Sequence, residues 1–520
     1  MLFIGLVNSG SRPGKAGLFV PLGLAYLSAV LKNHGYQYDC IDLHTEEIMN
    51  PSKTGDLWDH LSHFDFSSYT TVALGGVFLN MKDLSYISQK IRDCNPGLFQ
   101  IVGGQMATVM ADLIVADTEV DCVGLYEGEQ IILELVQTLQ ERGNWRKING
   151  LKYKNEEGRI VETPTRAKLQ ANEIPRMPDR ESWKFHILRK AFPKGSPSRY
   201  SAVVFASRGC PFLCTFCKPQ SGKEIRTREI DDMIFEIKHL KKKWNVRYIR
   251  FFDEVFIGSK SKIRELCNRI IEEKLNIFWE CQTQVRLVDR ELIELMKEAG
   301  CIALNYGIES GSDSILQEMK KGITPELAYQ AIEWTHEAGI APGANFIAGF
   351  PSETVETLKE TRDFLLSLSH VNWAWPPEID FVVPLPDTEL FHTAVEMGVI
   401  DDPEKYIVEV LSELGKHTKS VNLTKLSTEE LTTTVAQINL ETRRDFNRKH
   451  PFRFCLSLVG LDHLRLDLIF HRFSLYDVAP ILEALAWATV NKHMYRFENW
   501  IKIFSASKNS NSVLKNYICR

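Results

Sequence analysis

Short apolar or β-branched runs alternate with helical stretches over two long parts of this chain, and this alternation limits the folds that it can adopt. In residues 1–142 we predict strands at 2–8, 38–43, 71–74, 100–102 and 120–125. A helix predicted over 21–34 ends at Gly35, a residue type that commonly stops helices. Strands that alternate with helices form a parallel sheet covered on both faces. We therefore predict an N-terminal α/β domain that is doubly wound and Rossmann-like.

The same alternation returns in residues 201–395. Here we predict strands at 202–206, 248–252, 277–282, 302–308, 345–348 and 379–383, with helices at 230–243, 261–274, 290–299, 325–338 and 355–368. Six such units are too few to close an eightfold barrel. We predict a partial (β/α)6 barrel of the TIM type, whose active site lies at the C-terminal ends of its strands.

Two further parts complete the predicted organisation. Residues 143–200 form a connector with a β-hairpin that turns at residues 155–158, followed by an extended, proline-containing stretch. Residues 396–520 lose the strand pattern, and we predict helices at 427–450 and 475–492. The predicted domains are thus 1–142, 143–200, 201–395 and 396–520.

The composition excludes several classes of protein. A formal net charge of −5 on 520 residues makes a nucleic-acid partner unexpected. The apolar N-terminus lacks the basic region of a signal peptide, and no apolar run reaches the roughly 20 residues of a membrane span. Eight of the 11 cysteines are scattered without paired spacing, which is typical of a reducing compartment. We expect a cytoplasmic protein.

The other three cysteines form the spacing C-x3-C-x2-C directly after the first predicted barrel strand. They are Cys210, Cys214 and Cys217. Three thiolates can hold three irons of a [4Fe–4S] cluster and leave the fourth iron open, which electron-transfer clusters with four cysteines do not. An open metal position is a property of catalytic sites. A zinc site or a purely structural cluster are the alternatives, but no fourth zinc ligand stands at a matching spacing.

Glycines follow nearly every predicted strand of the first domain. These are Gly10 and Gly14, Gly75 and Gly76, Gly103 and Gly104, and Gly128. Ligands of such sheets bind at the carboxyl ends of the strands, and glycine there lets the backbone approach a ligand closely. A single such glycine would indicate only a turn, whereas the repetition favours a bulky ligand.

The cysteine run and the segments that follow it resemble the radical S-adenosylmethionine (SAM) superfamily. The resemblance implies a [4Fe–4S] cluster on Cys210, Cys214 and Cys217, with SAM bound at the open iron. Later segments match in order up to the P-L-P-D-T-E run at 384–389. The SAM-binding residues implied are Phe216, Asp253, Glu254, Arg286, Glu309, Ser310 and Gly349. Gln284 stands where relatives often carry Arg, and same-face alternation along a strand would let Arg286 replace it.

Residues 21–36, 101–104 and 124–129 are similar to the cobalamin-binding domain of the B12-dependent branch of that superfamily. The resemblance implies cobalamin contacts at Ser9, Gly10, Gly75, Gly76, Gly103, Gly104 and Glu127. The loop after the first strand contains no histidine that could bind cobalt. Asp42-Leu-His44 mimics part of the classical cobalt-binding motif after the second strand, and we interpret it as a chance match.

The resemblance implies a cobalamin-dependent radical SAM enzyme, a methyltransferase that acts on an unactivated carbon through a 5′-deoxyadenosyl radical and methylcobalamin. A B12-dependent cyclase or rearrangement enzyme, and a radical SAM enzyme with a degenerate, B12-free first domain, remain alternatives. An external electron donor of the flavodoxin or ferredoxin type and a small-molecule or peptide substrate are implied as partners. Trp279, Tyr306, Trp373 and Trp375 are candidates for the wall of the substrate cavity, with ordinary barrel core as the alternative.

Overall fold

The structure is a computed structural model, and it describes residues 1–6, 20–49, 56–76, 81–190, 197–219, 221–375, 377–410 and 421–450. Ser9, Gly10 and Gly14, and the helix predicted at 475–492, lie outside the described residues. No helix within the described ranges is both long and apolar enough to cross a membrane.

A seven-stranded sheet forms the first part of the chain, in the order β2-β1-β3-β4-β5-β6-β7. Strands β1 to β5 are parallel, and β6 and β7 join the edge as an antiparallel hairpin. The hairpin was predicted, but we had placed it in a connector, whereas its pairing with β5 extends the first sheet. The strands are β1 Leu2–Gly5, β2 Asp39–Asp42, β3 Thr71–Gly75, β4 Phe99–Gly103, β5 Cys122–Gly124, β6 Leu151–Lys154 and β7 Ile160–Glu162.

Helices cover both faces of this sheet. One face packs against α1 and α6, and the opposite face against α3 and α5, in two separate groups of buried side chains. The helices are α1 Leu22–Asn33, α2 Leu43–Met49, α3 Met81–Cys94, α4 Gln105–Val109, α5 Ala111–Asp117 and α6 Glu129–Gln140. The order β2-β1-β3-β4-β5 reverses direction between β1 and β3, and ligands of such sheets bind at that switch point.

A segment around Trp183 joins the first part to the second. The Trp183 indole N–H donates to Ser28 Oγ at 3.1 Å, and Asp179 accepts from Tyr38 at 2.6 Å and from Lys32 at 3.1 Å. The short helix α7, Phe185–Lys190, follows. Buried side chains of α1, this segment and the second part form one continuous core, because Trp183 and Phe185 belong to the same group as Phe3 and Ala202.

The second sheet has six parallel strands in the order β15-β14-β13-β12-β11-β8. Strands β8 and β15 are its two edges, so the barrel is open, as the count of six units predicts. A two-stranded antiparallel ribbon of β9 and β10 stands apart from it. The strands are β8 Ser201–Val204, β9 Ser207–Arg208, β10 Arg226–Thr227, β11 Tyr248–Phe251, β12 Phe278–Thr283, β13 Cys301–Glu309, β14 Ala341–Ala348 and β15 Ile379–Phe381.

The barrel helices begin where local residues satisfy their free N–H groups. Thr324 caps α12 with a proline in its first turn, and Thr354 forms a capping box with Thr357 at the start of α13. The helices of this part are α8 Ile230–Trp244, α9 Lys260–Glu272, α10 Arg290–Glu298, α11 Asp313–Glu318, α12 Pro325–Glu337, α13 Val355–Ser367, α14 Glu389–Glu396, α15 Pro403–Val410 and α16 Thr428–Lys449. The predicted helix at 427–450 is thus confirmed as α16.

Three of the four aromatic candidates for a cavity wall are core residues. Trp279, Tyr306 and Trp373 are almost completely buried. The Trp279 indole donates to the Ala299 carbonyl at 3.0 Å, and the Tyr306 hydroxyl lies 2.7 Å from Thr335 Oγ1. Trp279 in β12 and Tyr306 in β13 face the surrounding helices, and closeness to a strand end does not reveal which face of the strand a residue occupies. Trp373 lies between α13 and β15, outside any strand. Trp375 alone of the four is exposed.

Candidate active site at the cysteine loop

The cysteines lie in a loop that leaves the C-terminal end of β8 and returns through the β9–β10 ribbon. We call residues 209–225 the cysteine loop. At its base the Cys210 N–H donates to the Gly222 carbonyl at 3.0 Å. Gly209 has a φ of +94°, and a Cβ there would lie 2.0 Å from the Glu224 carbonyl oxygen. Only glycine fits this close approach, so the loop is closed by backbone geometry before any cofactor binds.

The three thiols lie close enough to influence one another's ionisation. Burial, followed by the nearby Cys214, raises the pKa of the Cys210 thiol. Desolvation, followed by the negative charges of the two other thiolates, raises the pKa of the Cys217 thiol to about 12. The positive charge of Lys321 opposes this shift. Within the described ranges no three His, Cys, Asp or Glu side chains converge as ligands of one metal ion. Three cysteine thiolates in one loop are the donor set that three irons of a [4Fe–4S] cluster take.

Two hydrogen bonds attach the middle of the loop to the rest of the barrel. The Thr215 N–H donates to the Met319 carbonyl at 3.1 Å, and the Thr215 carbonyl accepts from the Leu390 N–H at 2.9 Å. Met319 follows α11 and Leu390 lies in α14, two helices that succeed β13 and β15. The loop is therefore held across the mouth of the open barrel.

A buried ion pair stands next to the cysteine loop. Lys321 Nζ lies 2.9 Å from Glu309 Oε1, and both side chains are at least nine-tenths buried. Lys321 also lies 5.6 Å from the centre of the Phe216 ring, and Phe216 itself packs edge-on against Phe350 at 5.9 Å. Glu309 has a φ of +77°, a conformation that costs a non-glycine residue about 1–3 kcal/mol. Strain of this kind is characteristic of functional sites.

Lys321 was missed by sequence reasoning. It follows Lys320, which is exposed and pairs with Glu389 at 2.7 Å. Two adjacent lysines predict a solvated surface. The signal that was available is the following Gly322, whose φ of +66° marks a turn that directs the chain back to the site.

Arg286 reaches the site by a route that differs from our prediction. Strand β12 ends at Thr283 and Arg286 lies in a 3₁₀ turn, so the strand-alternation argument was wrong. The guanidinium nevertheless stacks 4.1 Å from the Phe212 ring of the cysteine loop. It donates to Gln284 Oε1 at 3.0 Å and to the Lys321 carbonyl at 3.2 Å. The structure thus brings Arg286 to the loop through a turn.

Asp253 anchors the start of the cysteine loop. Its Oδ1 accepts from the Ala206 N–H at 2.8 Å and also from the Ser207 N–H and hydroxyl. Its Oδ2 is buried and accepts no hydrogen bond from any described residue. Burial raises the pKa of Asp253 to about 7, against these hydrogen bonds. The adjacent Glu254 lies near the thiols and raises the pKa of both Cys210 and Cys217.

Ser310 and Gly349 mark two neighbouring strand ends. The Ser310 hydroxyl lies 3.1 Å from Thr361 Oγ1 and accepts from the Ser312 N–H, so it is used within the protein. Gly349 has a φ of +108°, and its N–H donates to Glu353 Oε2 at 2.6 Å. Glu353 is buried, and burial raises its pKa to about 7. Glu353 was not among the predicted site residues.

Four glycines predicted to bind cobalamin line one edge of the first sheet. Gly75 and Gly103 end β3 and β4, and Gly76 and Gly104 follow them. Gly104 has a φ of +115°, and a Cβ there would lie 2.9 Å from the Gly76 carbonyl oxygen. A Cβ at Gly75 would likewise lie 2.9 Å from Leu24 Cδ2, so these glycines let the strand ends pack closely against neighbouring protein atoms. The cobalamin contacts at these glycines stay predictions. His44 lies in α2 at the same edge, and burial lowers its pKa.

Glu127 follows β5, and its carboxylate points to the β9–β10 ribbon at the base of the cysteine loop. It forms ion pairs with Arg208 at 2.9 Å and Arg226 at 2.8 Å. The Leu169 N–H donates to the same carboxylate at 3.0 Å. Both oxygens of Glu127 are therefore used in contacts between the two parts of the chain.

Comparison with known proteins agrees with this geometry. Residues 204–365, which cover most of the barrel, match the family model described as the radical SAM superfamily. An uncharacterised methyltransferase of Pyrococcus horikoshii is 30% identical over 73% of this chain and 79% of its own length. The anaerobic magnesium-protoporphyrin IX monomethyl ester cyclase of Rubrivivax gelatinosus is 28% identical over 75% of this chain and 69% of its own length.

One solved structure shares both halves of the fold. It is the radical SAM methyltransferase TsrM of Kitasatospora setae, whose structure was solved with cobalamin and a [4Fe–4S] cluster bound. The two structures align with a TM-score of 0.61 and 18% sequence identity, over 76% of this chain and 74% of the TsrM chain. The alignment covers more of this chain than the barrel alone, so the order of a doubly wound sheet and a partial barrel is common to both. Together with the 30% identity to the Pyrococcus relative, the matching barrel shows that the chain belongs to the radical SAM superfamily.

Proposed function

We propose that this protein is a methyltransferase that uses a [4Fe–4S] cluster, SAM and cobalamin to methylate an unactivated carbon. One observation supports the proposal above the others. The cysteine loop lies across the barrel mouth beside the buried Glu309–Lys321 pair, and ion pairs join the β9–β10 ribbon at its base to Glu127, which follows β5 of the first sheet. This arrangement would bring a cluster and a second large cofactor together.

The residues that would hold each group follow from their chemistry. Cys210, Cys214 and Cys217 would bind the cluster, and the glycine edge of the first sheet would bind the corrin. Glu309 and Lys321 offer one negative and one positive group side by side, which suits the amino and carboxylate ends of a zwitterionic amino acid such as the methionyl part of SAM. When bound, these groups supply one-electron reduction, hydrogen-atom abstraction and a transferable methyl group.

The protein's part is to bind, orient and exclude water. Lys321 places a positive charge near the thiols, which favours the thiolate forms that bind iron. Phe216, which precedes Cys217 in the chain, packs edge-on against Phe350 and so adds apolar surface to the loop. The hydrogen bonds of Thr215 and Asp253 hold the loop before the cofactors bind, so little ordering remains when they do. We expect a flavodoxin- or ferredoxin-type protein to deliver the electron.

Ring formation without methyl transfer is a second candidate. The 28% identical relative from Rubrivivax gelatinosus bears the name of a cyclase, and it covers as much of this chain as the methyltransferase relative does. The described site residues are compatible with either outcome, because both begin at the same loop. The difference would lie in the substrate and in the fate of the methyl group.

Isotope transfer distinguishes these candidates. We would incubate the anaerobically reconstituted protein with methyl-deuterated SAM and an extract of small metabolites, and follow the label by mass spectrometry. A methyltransferase transfers the labelled methyl group into a product, whereas a cyclase forms an unlabelled product. Corrin absorbance of protein grown with cobalamin would exclude a B12-free first domain. If SAM is still cleaved by the Cys214→Ala variant, the whole proposal is wrong.

A further inference from the structure

The ribbon at the base of the cysteine loop carries two arginines directly opposite each other. Arg208 of β9 pairs with Arg226 of β10 in the antiparallel register. Like charges that face each other across a strand pair destabilise it. Arg208 precedes Cys210 by only two residues. The closure of the loop therefore requires a negative group between the two guanidinium groups.

That negative group comes from the first domain. Glu127 accepts from Arg208 Nη1 at 2.9 Å and from Arg226 Nη1 at 2.8 Å, and Glu129 accepts from Arg208 Nη2 at 2.5 Å. The four side chains are between 4% and 15% exposed. Burial alone would raise the pKa of Glu127, but Arg226 and Arg208 outweigh it and lower the pKa. The contact is ionised and largely shielded from water.

The segment that supplies these carboxylates also borders the ligand edge of the first sheet. It begins after β5, where Tyr126 has a φ of +62° and is 56% exposed. The Tyr126 N–H donates to Thr108 Oγ1 at 2.9 Å, which fixes this unusual conformation. Glu127 follows immediately and Glu129 begins α6. A residue exposed at the ligand edge is thus the direct neighbour of the residue that holds the ribbon.

We propose that Glu127 and Glu129 are positioning residues, which with Arg208 and Arg226 form a domain clamp that holds the cysteine loop in its cluster-binding conformation. Glu127 acts through the arginines and does not contact cobalamin, because both of its oxygens are already bound. The first domain thereby controls how firmly the cluster is retained. The inference deepens the proposed function, since it rests on a cluster in the cysteine loop.

Glu127→Gln tests the clamp, because it keeps the shape of the side chain and removes its charge. Glu134→Gln is the matched control: Glu134 lies on α6, the helix that follows Glu127, and accepts from Arg166 Nη1 at 2.9 Å, but it does not contact the ribbon. Two measurements are needed. The first is the half-time of iron release from the reconstituted protein to an excess of chelator under anaerobic conditions. The second is the rate of tryptic cleavage after Lys223, an exposed loop residue, in the metal-free protein.

We expect Glu127→Gln to shorten the half-time of iron release at least tenfold and to raise the rate of cleavage after Lys223 by a similar factor. Glu134→Gln should stay within twofold of the wild type in both measurements. Values within twofold of the wild type for Glu127→Gln overturn the clamp. If that variant does not fold, Glu129→Gln takes its place with an expected threefold change and the same refuting result. A wild type that takes up no cluster overturns the proposed function, whereas the metal-free cleavage rates report on the clamp separately.

Discussion

Glu236→Gln removes a carboxylate that two buried arginines share beneath the start of the cysteine loop. Arg180 Nη1 lies 2.6 Å from Glu236 Oε1, away from the direction of an ideal hydrogen bond, and Arg228 Nη1 lies 2.8 Å from Oε2. Glu236 is fully buried and both arginine side chains are 3% exposed. The arginines also donate to the carbonyls of Val203 and Phe205, which belong to β8 and to the residue after it.

The size of the effect follows from this geometry. At an effective dielectric constant of about 20, each of the two contacts is worth about 6 kcal/mol of attraction, most of which offsets the cost of removing the charges from water. Loss of the shared carboxylate leaves two buried guanidinium groups without their counter-charge. Breaking a buried pair in this way costs about 3–5 kcal/mol. We expect the barrel to lose that amount of stability in the Glu236→Gln variant.

Alkylation of buried thiols measures this loss in the native protein. Cys281 and Cys301 are free and buried in the barrel wall, so they react only when the barrel opens. With about 1.4 kcal/mol for each factor of ten, their alkylation should be about 10² to 4 × 10³ times faster in the variant, as followed by mass spectrometry of peptides. Glu337→Gln is the control, because its pair with Arg290 is about half exposed and worth at most about 1 kcal/mol. An increase of less than threefold in Glu236→Gln would refute the reasoning.

Three further predictions concern the loop and its supports. Cys214→Ser should abolish cluster iron measured after reconstitution, whereas the exposed Cys94→Ser should retain it; equal iron contents would contradict the ligand assignment. Gly209→Ala should lower the midpoint of chemical denaturation several times more than Gly158→Ala does. The reason is that a Cβ at Gly209 would lie 2.0 Å from a carbonyl oxygen, whereas a Cβ at Gly158 would meet nothing within 4 Å. Similar midpoints for the two variants would contradict this explanation. Burial raises the pKa of Glu353 from 4.5 to about 7, so the wild type should lose about 3 kcal/mol of stability as the pH rises through this range. Glu353→Gln should lack that loss in denaturation at pH 5 and pH 8, and an unchanged pH dependence would count against the cause given.

The sign of the Glu353 prediction follows from the linkage between protonation and folding. A carboxyl group with a raised pKa in the folded state binds its proton more tightly there than in the unfolded chain. Below the unfolded value both states are protonated and the group has no effect. Above the folded value both states are ionised and the buried charge destabilises the fold. Stability therefore decreases from about pH 4.5 to about pH 7.

The pattern of the sequence predicted the barrel well. All six strands of the second sheet were predicted within a few residues of their observed bounds, because strands of a parallel sheet are buried on both faces and appear as continuous apolar runs. The helices between them have an apolar stripe and recognisable ends, such as Thr324-Pro325 at α12. The β9–β10 ribbon was not predicted. Its strands have two residues each, and a run so short has no periodicity.

The candidate site was predictable where chemistry depends on spacing along the chain. The three cysteines and Glu309 belong to short motifs, and the structure brings Glu309 and the cysteine loop together through Lys321. Lys321 was not predicted as a site residue, nor were Glu129, Arg208 and Arg226 of the domain clamp. Glu127 was predicted, but as a cobalamin contact and not as a partner of the two arginines. Their partners are far away in sequence, as for Glu127 and Arg226, which are separated by 99 residues.

The amino-acid pattern was sufficient for the class of fold, the order of the elements and the thiols available to a cluster, because these depend on residues that are near neighbours in the chain. It did not reveal which of two adjacent lysines is buried, whether Trp279 faces the lumen or the helices, or that Glu127 binds the arginines of the β9–β10 ribbon. Each of these is a matter of burial and of charge pairing between distant segments. The environment of a side chain is supplied by residues that only folding brings near, so these features are established in the packed molecule.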